Sequence, residues 1–249
     1  MLRQLRLFFT ALMFFTRLPC ARWAGDGAND LNHAAKYFPL VGVVVGLLAA
    51  LVYWAARQAL PQELAVIASM VATLWLTGAF HEDGLSDAVD GLGGGWTREQ
   101  ALAIMKDSRI GSYGAVALVM LLLTKFEALI HLSGMHLPLV LVAGHSVSRF
   151  AAVLVIRTQS YVRESGKAKP LATRLGNGEL LAAATFGLAP LALLPLTWLW
   201  ALLPVALIWL WFSRKLQQRL GGYTGDCLGA MQQLCEIAFY LGVVAWSST

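Results

Sequence analysis

Charge is scarce in this chain. Of 249 residues only 13% are Asp, Glu, Lys or Arg, against 58% hydrophobic, a balance that excludes a disordered polypeptide and fits no ordinary soluble domain. With a mean hydropathy of +0.63, lipid is the expected solvent. Cysteine is nearly absent: Cys20, Cys227 and Cys235 show no CxxC or Cys/His spacing, which removes a disulfide framework and a zinc site and leaves three packing residues. There is no basic run either, so the net charge of +5 does not mark nucleic-acid binding. Apolar stretches run on for about twenty residues where an outer-membrane barrel would alternate, and no repeat or low-complexity segment interrupts them. The expected fold is all-α: a polytopic integral membrane protein of about seven transmembrane helices with an N-terminal amphipathic helix, one catalytic domain over 1–249.

The stretch Leu5 to Leu18 (LRLFFTALMFFTRL) is short, carries Arg6 and Arg17, and is followed by no small-residue cleavage site. It reads as an interfacial helix ending at Pro19, within an interfacial segment 1–36, and not as a signal peptide. Apolar runs follow at Tyr37 to Ala56, Leu64 to Phe80, Gly111 to Leu132 and Leu137 to Ile156. Leu180 to Phe212 is too long for one ordinary span and is read as two, turning near Pro195; Leu228 to Trp246 is the last run, interrupted by Gln232, Gln233 and Glu236. With that assignment sixteen Lys and Arg fall on one side, among them Arg163, Lys167, Lys169, Arg174 and Arg219, and Arg57 falls on the other. Lys125 and Arg149 lie inside spans. The asymmetry places the N-terminus in the cytoplasm, the C-terminus outside, and the links 81–110, 157–178 and 213–228 on the cytoplasmic side.

Six of the 14 acids gather in the one link from His81 to Ile110: Glu82, Asp83, Asp87, Asp90, Glu99 and Asp107. Asp83, Asp87 and Asp90 stand at offsets 0, 4 and 7, one face of a helix, so their carboxylates would converge. Like charges so placed repel unless a cation lies between them, and hard oxygen donors select magnesium, manganese or calcium over zinc. The EF-hand spacing is missing, and magnesium normally completes its shell with water and substrate phosphates, so the cluster points to phosphoryl chemistry. A solvated acidic connector is the plain alternative. Gly84, Gly91, Gly93, Gly94 and Gly95 surround the acids, poor helix composition that suits close approach of a ligand to backbone.

Downstream, Lys106, Ser108 and Arg109 in MKDSRIGSYG stand just before the third span. They suit a phosphate or diphosphate, through cations and free N–H groups at the helix end, or serve as an interface anchor with a cap. In GGYTGDCLGAMQQLCE, Thr224, Gly225 and Asp226 form a third candidate segment, whose plain role is to cap the last span. Inside the membrane Lys125, Glu127, His145 and Arg149 should face the bundle interior, with Arg149 pairing Glu127 or Glu236 or contacting substrate.

Taken in order, FFTRLP, KYFPLVGVVVG, FHEDGLSDAVDGLGGG, IMKDSRIGSYG, SRF with Arg149 and GGYTGDCLGA make the chain resemble the integral-membrane cobalamin synthase family, the adenosylcobinamide-GDP ribazoletransferases, over nearly its whole length. Ser86 and Val89 depart from the alanine or threonine expected of that family. The resemblance implies a magnesium-dependent transfer in which the 5′-hydroxyl of α-ribazole, or of its 5′-phosphate form, attacks the cobinamide-bound phosphorus of adenosylcobinamide-GDP. GMP then leaves. It further implies Asp83, Asp87 and Asp90 as magnesium ligands with Glu82 behind them or as a further ligand, and one carboxylate, such as Asp90, as proton acceptor. Lys106 and Arg109 would hold the diphosphate, Asp226 would orient a nucleotide or a second metal, and Arg149 would neutralise phosphate from below. Partners are the two substrates and the bilayer; a homo-oligomer stays open, and no nucleic acid is involved.

Two other readings compete. DAVDG resembles the opening of the CDP-alcohol phosphotransferase signature, which would make this a head-group transferase, although the alanine-arginine pair and later aspartates of that signature are missing. A cation or small-solute transporter is the reading from another class; the concentration of acids outside the midplane and the lack of an inverted repeat weigh against it.

Overall fold

The computed structural model describes residues 2–25, 28–132, 134–163 and 175–247, so Lys167, Lys169 and Arg174, counted above for topology, lie outside the described residues. Eleven α-helices follow one another among them: α1 Leu2–Phe15, α2 Ala28–Ala34, α3 Phe38–Ala56, α4 Gln62–Thr77, α5 Phe80–Gly94, α6 Arg98–Ile104, α7 Ser112–Ile130, α8 Leu137–Thr158, α9 Asn177–Leu188, α10 Leu202–Leu220 and α11 Gly225–Ser247. No strand occurs among the described residues. One isolated parallel bridge joins Tyr161 to Tyr223.

α8 and α11 are the most enclosed of the long helices. α3, α9 and α11 pack against α8, while α5, α7 and α10 gather around α11. The outer helices turn apolar side chains outward, for example Leu47 and Trp54 on α3, Ile67 and Trp75 on α4, Val116 and Leu123 on α7, and Leu207 on α10. An apolar ring with an enclosed, more polar centre is the pattern of a helical membrane protein.

Because lipid tails give helices no hydrophobic reason to associate, close backbone packing carries more of the cohesion. Gly42 and Gly46 let α3 lie directly on α8. A Cβ at Gly46 would sit 2.6 Å from Val142 Cα, and one at Gly42 would strike the His145 carbonyl. Gly46→Val is therefore expected to destabilise by about 1–3 kcal/mol through overpacking, read as an earlier thermal transition in detergent. Gly178→Ala, with nothing within 4 Å of the new methyl, should leave that transition in place.

Five segments are long and apolar enough to cross a membrane: Asp30–Ala56, Ser112–Ile130, Leu137–Thr158, Leu196–Leu220 and Gly225–Ser247. α4 and α5, bent by 83° at their junction, make a sixth if taken as one broken span. Of the seven runs expected to cross, two thus form helices too short to qualify alone: α4 has 16 residues, and the first half of the long apolar run forms the shorter apolar helix Asn177–Leu193. The turn near Pro195 is present, since Leu194 and Pro195 are extended between two 3-10 segments.

α1 ends at Phe15 and docks through aromatic rings: Phe15 meets Phe38 at 4.5 Å and Phe14 meets Phe80 at 5.4 Å. Its continuation ties to α4 as Arg17 N–H donates to the Leu76 carbonyl at 2.8 Å. There α4 stops in two successive left-handed residues, Gly78 at φ 65° and Ala79 at φ 55°. A helix cannot pass through that pair, and the chain leaves as α5 in a new direction.

Candidate active site

The acidic segment expected as a link is a helix over most of its length. Its glycines cost helix propensity, but they also allow other backbone to close in. Gly84 lies against Asp226 and Gly229 of α11, with a Cβ there 3.0 Å from the Asp226 carbonyl oxygen, and Gly91 lies against the Ala101 carbonyl of α6. The close approach foreseen for a ligand is thus used by the protein itself. At the far end Arg219 donates to the carbonyl oxygens of Gly95 at 2.5 Å and Leu92 at 3.4 Å, a cation on free carbonyls at a helix C-terminus.

On this helix the acids divide. Asp83 is exposed and Asp87 half-buried. Neither side chain has a hydrogen bond or ion pair among the described residues. Asp90 is buried and accepts N–H bonds from Gly111 at 2.8 Å and Gly114 at 2.9 Å, so it caps the start of α7 from a neighbouring helix. Gly114 is needed for this, since a Cβ there would run into Asp90 and Ser86. Two of the N–H groups at the α7 terminus, foreseen as free for phosphate, are therefore taken by Asp90. Glu82 points a different way again: it is buried and accepts from Gln233 Nε2 at 2.9 Å.

The start of α11 faces the Asp83–Asp87 edge. Thr224 Oγ1 accepts the Cys227 N–H at 3.3 Å as an N-cap, and Asp226 forms an ion pair with Arg163 at 2.7 Å. Asp87 feels the charges of Asp83, Asp226 and Asp90, with the Arg163 guanidinium opposing them. Arg163 counted in the sequence only as a topological charge. What brings it here is the Tyr161–Tyr223 bridge, in which Val162 N–H donates to the Tyr223 carbonyl and Tyr223 N–H to the Ser160 carbonyl, both at 3.0 Å.

Among the described residues no group of three or more His, Cys, Asp or Glu side chains is arranged to hold a metal ion by itself. Magnesium does not require one, because one or two carboxylates with water and substrate phosphates complete its shell. The Asp83–Asp87 pair, hard oxygen donors one turn apart and without a cation of their own, fits that requirement.

The α6–α7 loop carries the expected phosphate residues. Lys106, Ser108 and Arg109 are exposed. Arg109, 87% exposed in its side chain, is gripped by Asp107 two residues back, with Nη2 2.6 Å from Oδ2 and Nε bonding both carboxylate oxygens. That grip holds the Asp107 carboxyl down at about 2. The pair stays ionised at any ordinary pH, and as an exposed ion pair it is weak enough for a competing anion to take the guanidinium.

Inside the bundle the structure corrects one expectation. Glu127 is 64% exposed and lies 3.5 Å from His131, not in the interior. Near the end of α7 its long side chain reaches out of the helix packing. Lys125, His145 and Arg149 do face inward. Glu236 is the hub, 2.9 Å from Lys125 Nζ and 3.0 Å from His145 Nδ1. Arg149 donates to the His145 carbonyl at 2.9 Å and does not pair directly with Glu236, although it lies within the fields of Glu236 and Glu82. Its Nε has no partner among the described residues, and Arg149 lines a cleft of about 20 Å³ walled by Phe14, Phe15, Phe38 and Phe80, room for about one water molecule.

The family profile described as cobalamin-5-phosphate synthase matches residues 7–244. The chain belongs to the cobalamin-5-phosphate synthase family. Its similar relatives include the adenosylcobinamide-GDP ribazoletransferases of Shewanella frigidimarina, 46% identical over 98% of this chain and 96% of theirs, and of Leptothrix cholodnii, 48% identical over 98% and 97%. That of Ralstonia pickettii is 46% identical over 97% and 96%. No solved structure matches the chain. This member of the cobalamin-5-phosphate synthase family carries a carboxylate edge on α5, an acid-arginine pair at the start of α11, and an exposed Asp107–Arg109 pair in the α6–α7 loop.

Proposed function

We propose that this protein joins α-ribazole, or α-ribazole 5′-phosphate, to adenosylcobinamide-GDP, releasing GMP and forming adenosylcobalamin or its 5′-phosphate, a late step of cobalamin biosynthesis. Family membership supplies the reaction class. The observation that carries the site is the Asp83–Asp87 edge of α5, two carboxylates without cations of their own facing Asp226 and Arg163.

In this reading Asp83 and Asp87 hold Mg²⁺, which when bound supplies positive charge to the diphosphate oxygens and to the departing GMP. Arg109 exchanges Asp107 for the diphosphate, with Lys106 and Ser108 beside it. The 5′-oxygen of α-ribazole forms a bond to the cobinamide-side phosphorus. The bond from that phosphorus to the bridging oxygen breaks, GMP takes the electron pair, and the hydroxyl proton passes to a carboxylate of the same face. Arg163 orients Asp226, and Thr224 and Gly225 fix the helix start that presents it. Asp90 holds α5 to α7 and does its work by position.

In this reading the protein sits in the inner membrane of a bacterium with this face in the cytoplasm, an orientation that the bias of Lys and Arg supports. Purified protein in detergent is expected to release GMP from adenosylcobinamide-GDP only when α-ribazole and Mg²⁺ are both present, with release abolished by EDTA and restored by added Mg²⁺. Solute uptake into proteoliposomes without nucleotide cleavage would overturn the reading in favour of a transporter.

A further inference from the structure

The buried polar groups beneath the carboxylate edge form a connected chain from α5 through α11 to α7 and α8. Gln233 sits at its joint. Its Nε2 donates to Glu82 Oε1 and to Gln232 Oε1, both at 2.9 Å, and its Oε1 accepts from Lys125 Nζ at 2.9 Å. Every donor and acceptor direction of that amide but one lone pair is committed. Behind it, Gln232 donates to Ser148 at 3.0 Å and to Glu236, which in turn holds Lys125 and His145. Lys125 and Arg149 balance Glu82 and Glu236, all four buried.

On a helix, Glu82 lies about 100° from Asp83 and 140° from Asp87. Pinning Glu82 inward therefore sets how far the two metal-side carboxylates are turned toward Asp226. We infer that Gln233 is a positioning residue and Glu82 its anchor: Glu82 is no metal ligand, and the pair fixes the rotation of α5 about its axis. The inference rests on the reading that Asp83 and Asp87 hold a divalent cation.

Mn²⁺ binding to the purified full chain, followed by electron paramagnetic resonance without substrate, tests it. Gln233→Ala should weaken Mn²⁺ binding roughly 10- to 100-fold, as loss of a residue that orients a ligand does. Glu82→Gln keeps the oxygen that accepts from Gln233 and should shift binding no more than a few-fold. The exchange Glu82→Gln with Gln233→Glu reverses the bond between α5 and α11 at constant charge while losing the donor to Gln232, and should recover part of the binding relative to Gln233→Ala. Where GMP release is measured, kcat should follow Mn²⁺ occupancy while KM for adenosylcobinamide-GDP stays near the wild-type value. Loss of Mn²⁺ binding in Glu82→Gln, unrestored by the exchange, would make Glu82 a ligand and overturn the inference; so would wild-type binding in Gln233→Ala. A wild-type protein that binds no Mn²⁺ defeats the metal reading itself, and one that binds it with the expected dependence yet releases no GMP defeats the reaction and spares the positioning.

Discussion

Asp83→Asn and Asp87→Asn are each expected to lower GMP release by roughly 100-fold, equivalent to about 3 kcal/mol of lost charge stabilisation in the transition state. Their effect on folding should have the opposite character. Neither carboxylate is bonded within the described protein, and Asp87 lies in the repulsive fields of Asp83, Asp226 and Asp90, so removing a charge relieves repulsion and the melting temperature should hold or rise. Asp90→Asn separates the two kinds of role. An amide nitrogen cannot accept the N–H bond that a carboxylate oxygen takes from Gly111 or Gly114, and a buried donor left unpaired costs about 1–3 kcal/mol. That variant should lose stability along with turnover. Thermal melting beside GMP release decides the matter: a fall in melting temperature in Asp83→Asn or Asp87→Asn comparable to that in Asp90→Asn would make the edge structural.

The second large effect belongs to Glu236→Leu. Glu236 is 1% exposed and compensates Lys125 and His145. Its removal leaves Lys125 buried beside an apolar side chain, and breaking a buried pair in this way costs about 3–5 kcal/mol. The melting temperature in detergent should drop on the order of 10 °C. Lys125→Leu added to Glu236→Leu removes the orphaned charge as well and should recover most of the loss, because a buried pair replaced by apolar groups of similar volume is often close to neutral. If the double variant melts no higher than the single one, the pair contributes through something other than charge compensation.

The apolar runs made most of the helices legible, since a crossing segment must be long, apolar and internally hydrogen-bonded. Composition failed at α5. Glycine argues against helix in isolation, whereas here Gly84 and Gly91 remove side chains where α11 and α6 come closest, and tertiary packing outweighs propensity. The acids that carry the candidate site could be read from their offsets, but their division of labour could not, because Asp90 faces a helix terminus some twenty residues on and Glu82 faces the Gln233 side chain within α11, 151 residues on. Arg163 was invisible as a site residue for the same reason: its partner Asp226 is reached only through the Tyr161–Tyr223 bridge. The Asp107–Arg109 grip, by contrast, is local and stood in the sequence as D-x-R.

α11 carries Asp226 in its first turn and Glu236 ten residues later, so one rod bears both a reacting-face acid and the hub of the buried charges. Each added or removed residue between them would swing one against the other by about 100°. The interval is thus a phase setting as well as a length: outside the hydrogen-bonded Gln232 and Gln233, amino-acid identities there can vary where size allows, but the residue count is locked, as it is not in the broken 3-10 stretch around Pro195.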